Sequence, residues 1–357
     1  MSLQDYGWNE FFAEAFDKLE ASDLEPARVT RAAANIFRVR GETYHGQATL
    51  AGKLRHDAVT SAELPAVGDW VAIRCSATGD ARIDALLPRR SVLSRNVAGA
   101  RTSEQVVAAN VDLVIVVMGL DGDFNLRRLE RYLTAISESG ARPVVLLNKT
   151  DLCDDLAARV GEVKSVALDV PVLPASCKHG DGIEAVRAEV GQGRTAVLVG
   201  SSGAGKSTLI NLLLGKTVQP TRETREDDDR GRHTTTHREM FRLPGGGLLI
   251  DSPGIRELQL WGGERSLSQA FDDVEALARA CRFRDCGHQS EAGCAVIAAL
   301  ENGVLAAQRL ESYRVLQKEL RHLETKQSES AQRVQKQKWR ETHREYRRFT
   351  KKRREPR

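Results

Sequence analysis

The chain has 357 residues, of which 41% are hydrophobic and 29% charged, and this composition is too apolar for a disordered chain. Its length predicts two or three domains rather than one. No apolar run reaches the ~18 residues that a membrane helix needs. The N-terminus is acidic and amphipathic and lacks the layout of a signal peptide, so we expect a cytoplasmic protein.

Charge is distributed unevenly along the chain. Residues 326–357 hold thirteen Lys or Arg against four Asp or Glu, a net charge of +9, which leaves −5 for the rest of a chain whose total is +4. A basic tail on a mildly acidic body favours a polyanionic partner. Six cysteines are too few for a disulfide scaffold, and three of them lie near a histidine, which favours a metal site in a reducing compartment.

The first hundred residues predict a helix followed by a small barrel. Residues 4–20 are expected to form one amphipathic helix that packs on a neighbour, because Trp8, Phe11, Phe12 and Phe16 recur at helical spacing. Short β-rich segments separated by Gly, Asp and Pro then predict a β-barrel of about five strands. These segments are 33–40, 42–50, 70–74 and 81–87.

From about residue 102, apolar strands alternate with helices, which predicts a parallel sheet with helices on both faces. The predicted strands are 113–118, 143–147, 170–174, 196–199, 240–243 and 248–250. The predicted helices are 126–139, 154–168, 182–190 and 206–214. From residue 267 onward the pattern is helical and is interrupted by the Cys/His cluster.

A phosphate-binding loop is predicted between the strand 196–199 and the helix that follows it. The loop matches G-x-x-x-x-G-K-[ST], in which backbone N–H groups and a helix N-terminus surround phosphates. Lys206 is expected to bridge the β- and γ-phosphates in catalysis, and the Ser207 hydroxyl to bind Mg²⁺. The alternative is a glycine-rich turn with an incidental lysine. The predicted nucleotide contacts are Gly200, Ser201, Ser202, Gly203, Ala204, Gly205, Lys206, Ser207 and Thr208.

A second phosphate motif follows the strand 248–250. Asp251 can hold Mg²⁺ through water, and Gly254 offers a backbone N–H to a γ-phosphate. Between the two motifs, the polar segment 222–237 contains three consecutive threonines. One of them is expected to complete the Mg²⁺ coordination; we assign Thr235, and the sequence leaves its two neighbours open. The alternative is a solvated linker.

A guanine site is predicted at the ends of two further strands. Its residues are Asn148, Lys149, Thr150, Asp151, Ser176, Cys177 and Lys178. The Asp151 carboxylate can accept both N–H groups on the guanine edge, a pattern that adenine lacks, so it selects GTP over ATP. Asn148 braces the loop, Lys149 lies along the purine face, and residues 176–178 support the base from the other side. An ATP-dependent kinase or transporter ATPase fits Lys206 but not Asp151.

The order of these motifs differs from the usual one. Ordinary GTPases run phosphate loop, threonine switch, Asp-x-x-Gly and then Asn-Lys-x-Asp, whereas here 148–151 precedes both 200–208 and 251–254. This order indicates a circularly permuted G domain, which is tolerated when the original termini lay close together. Because the chain leaves the sheet directly after the switch region, we expect switch movement to be coupled to the Cys/His region that follows.

The cysteines near the C-terminus predict a metal site. Cys281, Cys286, His288 and Cys294 supply three thiolates and one imidazole within fourteen residues. Such a set suits one closed, tetrahedral, structural Zn²⁺, although the spacing is not that of a C₂H₂ finger. The alternative is four buried residues in a helical hairpin. Cys75, Cys153 and Cys177 lie outside this set, and we expect the first two to be ordinary free thiols.

Several segments, together with the permuted motif order, resemble the bacterial RsgA family (also YjeQ or YloQ) of ribosome-assembly GTPases. They are 67–71, 87–95, 109–112, 231–236 and 281–294, and the resemblance covers roughly residues 28–320. It implies a multidomain α/β protein with an OB-fold, a permuted P-loop G domain and a helical zinc domain. One departure is Cys177, where the family usually has alanine; the contact there is mostly through the backbone, so we expect guanine binding to survive.

With this resemblance, the chain divides into five regions. They are an N-terminal helix (1–25), an OB-fold RNA-binding domain (26–100), a GTPase domain (101–262), a helical zinc domain (263–325) and a basic tail (326–357). The resemblance also implies late maturation of the small ribosomal subunit, with that subunit and its 16S rRNA as partners. It further implies GTP hydrolysis that the subunit stimulates. Nothing in the sequence suggests more than a monomer.

The position after Asp-x-x-Gly lacks the usual catalytic side chain. In many GTPases a Gln there orients the attacking water, but here it is Ile255, so we expect a low intrinsic rate. His233 is the best candidate for the missing group, because an imidazole can position water as well as transfer protons. The resemblance points to the same histidine. The alternative is that His233 only contacts RNA or solvent.

Basic side chains in three regions predict an RNA-binding surface. They are Arg38, Arg40, Lys53, Arg55, Arg89, Arg90 and Arg95 around the barrel, Arg282 and Arg284 near the cysteines, and the tail. Trp339, Tyr346 and Phe349 interleave with charge in the tail, which allows base stacking, although a charge run is often only a solvated face. The prediction is therefore a GTPase of small-subunit maturation. The alternative is an RNA-binding, nucleotide-sensing switch with negligible turnover.

Overall fold

The structure is a computed structural model of the whole chain. It describes residues 2–33, 36–58, 60–76, 79–97, 103–217, 238–251, 267–268, 270–284, 286–289 and 291–321. Within these ranges, no helix has both the length and the apolar character needed to cross a membrane.

The N-terminal segment is not the single helix predicted for residues 4–20. A 3₁₀ helix, Leu3–Tyr6, ends at Gly7, whose φ of +82° is left-handed, and helix α1 (Glu10–Asp17) begins after it. The glycine breaks the helical pattern because a left-handed residue cannot continue a right-handed helix. The predicted packing is correct in part: Phe12 is buried and Trp8 stacks edge-on against Trp70, with ring centroids 4.7 Å apart.

A closed five-stranded barrel follows and confirms the predicted OB-fold class. Its strands are β1 (Glu25–Ala33), β2 (Ile36–Gly41), β3 (His45–Leu50), β4 (Trp70–Cys75) and β5 (Ala81–Leu86), with the short helix α2 (Gly52–Asp57) after β3. The strand order is β1-β2-β3-β5-β4, and pairing of β4 with β1 closes the barrel. Alternate apolar residues such as Val29, Phe37 and Ile83 fill its core.

A hairpin, β6 (Val92–Val97) and β7 (Ser103–Ala109), leads from the barrel to the predicted parallel sheet. The strands of this sheet are β8 (Leu113–Gly119), β9 (Arg142–Asn148), β10 (Val172–Pro174), β11 (Thr195–Val199), β12 (Arg238–Arg242) and β13 (Leu248–Asp251). Their order is β10-β9-β8-β11-β13-β12, and all neighbours are parallel except the last pair. The associated helices are α3 (Leu126–Ser139), α4 (Leu156–Ala167), α5 (Ile183–Val190) and α6 (Lys206–Leu214).

The barrel and the parallel sheet share hydrogen bonds through β1. This strand pairs with β2 and β4 in the barrel and also with β12, with Arg31 opposite Glu239 and Ala32 opposite Arg238. The two sheets therefore form one eleven-stranded sheet. Strand β12 directly follows residues 218–237, which contain the predicted switch threonines. The barrel is therefore hydrogen-bonded, through β1, to the strand that comes next in the chain after the predicted switch.

The C-terminal described region is helical, as predicted, and packs on the G domain. It contains α7 (Asp272–Ala278), α8 (Ala295–Glu301) and α9 (residues 307–321). Arg309 of α9 is 6% exposed and donates to Glu130 of α3 and to Asp273 of α7, at 2.8 Å each. Its guanidinium also lies 4.0 Å from the ring centroid of Phe271. This buried cluster fixes the C-terminal helices against α3.

Candidate nucleotide and metal sites

The predicted phosphate loop lies between β11 and α6, at the carboxyl edge of the parallel sheet. Two of its glycines have no room for a side chain. A Cβ on Gly200 (φ +141°) would lie 2.2 Å from the Val117 carbonyl oxygen, and one on Gly205 (φ +101°) 2.1 Å from the Asn148 amide nitrogen. The glycines therefore allow the loop to pack directly on strand β8 and on the predicted base loop.

The predicted phosphate-binding side chains surround the N-terminus of α6. The Lys206 ammonium donates to the backbone carbonyl of Gly200 at 2.7 Å and to that of Ser201, so it lies across its own loop. Ser207, in the first turn of α6, is half-buried. Asp251 ends β13, which is the neighbour of β11 in the sheet, so the predicted Mg²⁺-binding carboxylate emerges beside the phosphate loop.

The predicted base loop follows β9, two strands away from the phosphate loop. The Asn148 amide nitrogen donates to the Ala204 carbonyl at 2.8 Å, and its Oδ1 accepts from the Cys177 amide at 3.0 Å. This buried side chain thus ties together three separate segments of the predicted site. The sequence predicted a bracing role for Asn148 from its place at a strand end alone.

The Asp151 carboxylate is held at the rim of this loop. The Ser176 hydroxyl donates to its Oδ1 at 2.6 Å and lowers the pKa of Asp151, so the group is a charged acceptor at neutral pH. Thr150 donates its amide to the Ala175 carbonyl at 3.2 Å. Cys177 is buried, and the pKa of its thiol is raised to about 11. Burial is the larger cause, and the negative charge of the nearby Asp151 is the smaller one. Lys178 is exposed.

Two carboxylates on the turn after β8 contact the predicted loops and were not predicted from the sequence. The Lys149 ammonium lies 2.5 Å from the Asp121 carboxylate, and the Ser201 hydroxyl donates to the Asp123 carboxylate. Asp123 also pairs with Arg128 at 2.6 Å. A signal was available, because both residues lie just after the buried strand β8, and the predicted residues Asn148 and Asp251 also lie at strand ends. Their partners could not be deduced, because the contacts depend on the strand order of the sheet.

Several predicted site residues lie outside the described residues. They are His233, Thr235, Gly254 and Ile255, together with the aromatic residues of the basic tail.

Of the predicted basic surface, the side chains of Arg38, Lys53, Arg55, Arg90, Arg282 and Arg284 are exposed. Arg89 is not part of it: its guanidinium makes two hydrogen bonds, of 2.7 and 2.8 Å, to the fully buried Asp69 carboxylate. The role of Arg89 is therefore to neutralise a buried charge.

The four predicted metal ligands come together after α7. The ligand atoms of Cys281, Cys286, His288 and Cys294 all lie within 4.8 Å of one another. His288 Nδ1 is 3.6 Å from the Cys281 sulfur and 3.5 Å from the Cys294 sulfur, and those two sulfurs are 3.8 Å apart. A tetrahedral Zn²⁺ with Zn–S bonds of about 2.3 Å would separate its sulfur ligands by about 3.8 Å. The donor set and its spacing therefore fit a closed zinc site.

A separate cavity of about 460 Å³ lies at the opposite edge of the sheet, lined by the N-terminal segment and the starts of β9 and β11. The buried Arg28 guanidinium forms part of its wall. It donates to the carbonyls of Gly68 at 2.8 Å and Asn110 at 2.9 Å, and to the Thr195 hydroxyl at 3.2 Å. This arginine joins the barrel to the start of β11, and the cavity beside it is distinct from the predicted nucleotide site.

The fold and these loops define a circularly permuted P-loop GTPase. A family model described as RsgA GTPase matches residues 86–261, and one described as 50S ribosome-binding GTPase matches residues 195–328. The crystal structure of YjeQ from Thermotoga maritima is similar, with 27% identity and a TM-score of 0.64 over 83% of this chain and 98% of that one. The structure of YloQ, at 23% identity, shares the fold, with a TM-score of 0.61 over 84% of this chain and 96% of that one.

Curated relatives extend the similarity over most of the chain. A protein of Opitutus terrae named small ribosomal subunit biogenesis GTPase RsgA is 49% identical over 89% of this chain and 90% of its own length. One of the same name from Syntrophotalea carbinolica is 45% identical over 96% of both chains. The chain belongs to the RsgA GTPase family, as the resemblance of its motifs predicted, and it is a GTP hydrolase.

Proposed function

We propose that this protein binds the small ribosomal subunit and assists its late maturation, and that the subunit stimulates its hydrolysis of GTP to GDP and phosphate. The names of the relatives support the subunit as partner. The observation that carries the proposal is the shared sheet: β1 belongs to the barrel and also pairs with β12, the strand that follows the predicted switch. A barrel bound to RNA is thereby connected to the GTPase site by backbone hydrogen bonds.

The proposed nucleotide site uses one loop for the phosphates of GTP and two segments for its base. Residues 200–208 hold the phosphates and residues 148–151 and 176–178 hold the base, with Asp151 reading the guanine edge. Ser207, Thr235 and Asp251 would hold Mg²⁺, which would offset the negative charge of the phosphates. Lys206 contributes charge to the same phosphates, and the Gly254 amide meets the γ-phosphate. His233 positions the attacking water in place of the glutamine that Ile255 replaces.

The proposed zinc site has a structural role. Cys281, Cys286, His288 and Cys294 hold one Zn²⁺, and the separations of their ligand atoms support this assignment. Four protein ligands leave no open position for a substrate. The ion fixes the loop that presents Arg282, Phe283 and Arg284, all three of which are exposed. An exposed aromatic ring between two arginines suits contact with the bases and phosphates of 16S rRNA.

The proposed division of the chain follows these roles. The N-terminal segment (1–25) precedes the RNA-binding barrel (26–100), the GTPase domain (101–262), the zinc domain (263–325) and the basic tail (326–357). We propose that the protein acts as a cytoplasmic monomer.

A second candidate function is an RNA-binding switch that senses nucleotides with negligible turnover. The isoleucine at position 255 favours it, because this side chain cannot hydrogen-bond to a water molecule.

Sedimentation with purified ribosomal subunits tests the proposed partner. With a non-hydrolysable GTP analogue, the protein is expected to pellet with small subunits but not with large ones, and to pellet less with GDP. Charge reversal at the exposed Arg38 and the half-buried Arg40 on β2 is expected to weaken binding and to reduce its salt dependence. Reversal of the exposed Lys164 on α4, away from the barrel, is the matched control. Equal binding to both subunits would contradict the proposal.

A further inference from the structure

We propose that the turn formed by residues 119–123, after β8, positions both nucleotide loops: Asp121 holds the Lys149 ammonium, and Asp123 holds the Ser201 hydroxyl. This inference rests on the proposed nucleotide site and deepens it. In the sheet, β8 lies between β9, which leads to the base loop, and β11, which leads to the phosphate loop. The turn after β8 is therefore placed to reach both.

The Asp121 carboxylate is fixed by its own turn before it meets Lys149. Its Oδ1 accepts from the Asp123 amide at 3.1 Å, and its Oδ2 lies 2.5 Å from the Lys149 ammonium. A Cβ on Gly119 would lie 2.7 Å from Asp121 Oδ1, so a side chain at this position would require the carboxylate to shift. Burial raises the pKa of Asp121, but the hydrogen bonds from Lys149 and the Asp123 amide outweigh it and keep that pKa below its ordinary value.

Lys149 is consequently held at both ends. Its backbone has a left-handed φ of +67°, and the preceding Asn148 anchors it through hydrogen bonds to Ala204 and Cys177. Asp121 anchors the ammonium at the other end. The aliphatic part of the side chain between these anchors is then ordered before the purine arrives. Because a free lysine loses much rotamer freedom on binding, prior ordering raises the affinity for the base.

Asp123 acts in the same way on the phosphate loop. Its carboxylate accepts from the Ser201 hydroxyl and from Arg128 at 2.6 Å, and Arg128 is in the first turn of α3. Asn125 caps that helix by accepting from the Arg128 amide at 3.0 Å. The phosphate loop is thus tied to a helix end. Both carboxylates are paired with a cation, which reduces their repulsion of the phosphates nearby.

The test of Asp121 compares GTP with inosine triphosphate, which lacks the exocyclic amine of guanine. In Asp121→Asn the Kd values of both nucleotides are expected to rise about 3- to 5-fold, because the ion pair is partly exposed. The ratio of the two Kd values is expected to stay constant, since Lys149 covers the ring face and does not contact the amine. Asp151→Asn alters the side chain that accepts hydrogen bonds from the guanine edge. This variant is expected to change the ratio of the two Kd values, and it is the comparison for Asp121→Asn.

A double-mutant cycle tests whether Asp121 acts through Lys149. In a Lys149→Met background, Asp121→Asn is expected to change the GTP Kd by less than about 1.5-fold. An equal loss in both backgrounds, or a changed ratio of the two Kd values, would overturn the inference. Asp123→Asn and Ser201→Ala form the corresponding cycle for the phosphate loop. An unmodified protein that does not prefer GTP over ATP would instead contradict the proposed base site.

Discussion

The nucleotide site and the Cys/His site are built in different ways. The nucleotide loops extend from the parallel sheet, in which every residue of the central strands β8 and β11 is buried. The four metal ligands lie in turns between two seven-residue helices, and Cys281 and Cys286 are only half-buried. Apolar packing of the strands therefore organises the first site, whereas the ligands of the proposed metal site lie in turns whose order would depend on a bound ion.

Removal of the metal is expected to have the largest effect and to separate the two sites. A structural zinc contributes about 10 kcal/mol or more to local folding, so chelation is expected to abolish protection from hydrogen exchange in α7 and α8. The GTP Kd is expected to change less than about 2-fold, because the strands of the parallel sheet hold the nucleotide loops independently of the Cys/His turns. Hydrogen exchange with mass spectrometry and nucleotide titration measure the two outcomes.

The matched variants for this experiment are Cys286→Ser, inside the cluster, and Cys153→Ser, outside it. Only the first is expected to reproduce the effect of chelation. A parallel loss of GTP affinity on chelation would contradict the separation of the two sites.

Loss of the buried ion pair between Arg309 of the C-terminal helices and Glu130 of the G domain is expected to have the next largest effect. Arg309→Met leaves Glu130, which is 3% exposed, without its cation, and should lower the free energy of unfolding by about 3 to 5 kcal/mol. Arg131→Met is the control, because its pair with Glu319 joins the same two helices at the surface and is expected to contribute less than about 1 kcal/mol. Chemical denaturation monitored by circular dichroism measures both. Equal losses would contradict the assigned role of burial.

Substitution of Asp151 in the proposed base site is expected to have the next largest effect, on the affinity for GTP. Asp151→Asn removes the charged acceptor for the guanine edge, so the GTP Kd should rise about 10- to 100-fold while preference shifts toward xanthosine triphosphate. The thermal midpoint should stay nearly constant, because Asp151 is exposed. Competition titrations with the two nucleotides measure the shift. Unchanged GTP affinity would contradict the assignment of the base site.

The smallest effect is expected at Cys177, the departure from the family pattern. Its pKa of about 11 keeps the thiol neutral between pH 7 and 9, so Cys177→Ala changes no charge near Asp151. Since Asn148 binds the backbone amide of Cys177, the GTP Kd should change less than about 2-fold. Nucleotide titration at pH 7 and pH 9 checks this, and a pH-dependent difference from the unmodified protein would contradict it.

The sequence predicted those features that depend on local spacing. The phosphate loop, the base loop and the Cys/His cluster each occupy one short segment, and the alternation of strands and helices indicated the parallel sheet. Strand β1 was largely missed, because its buried Arg28 interrupts the apolar pattern. The helix predicted for residues 4–20 was wrong because Gly7 ends the first turn. The roles of Asp121 and Asp123 could not be predicted, since they arise from strand order.

GTP turnover, measured alone and with small or large ribosomal subunits, tests the proposed function most directly. We expect slow turnover by the protein alone, stimulation of at least about 10-fold by small subunits only, and loss of that stimulation in His233→Ala. Stimulation that persists in His233→Ala would contradict the role of the histidine while leaving the subunit as activator. No stimulation by small subunits would contradict the central claim and favour a switch with negligible turnover.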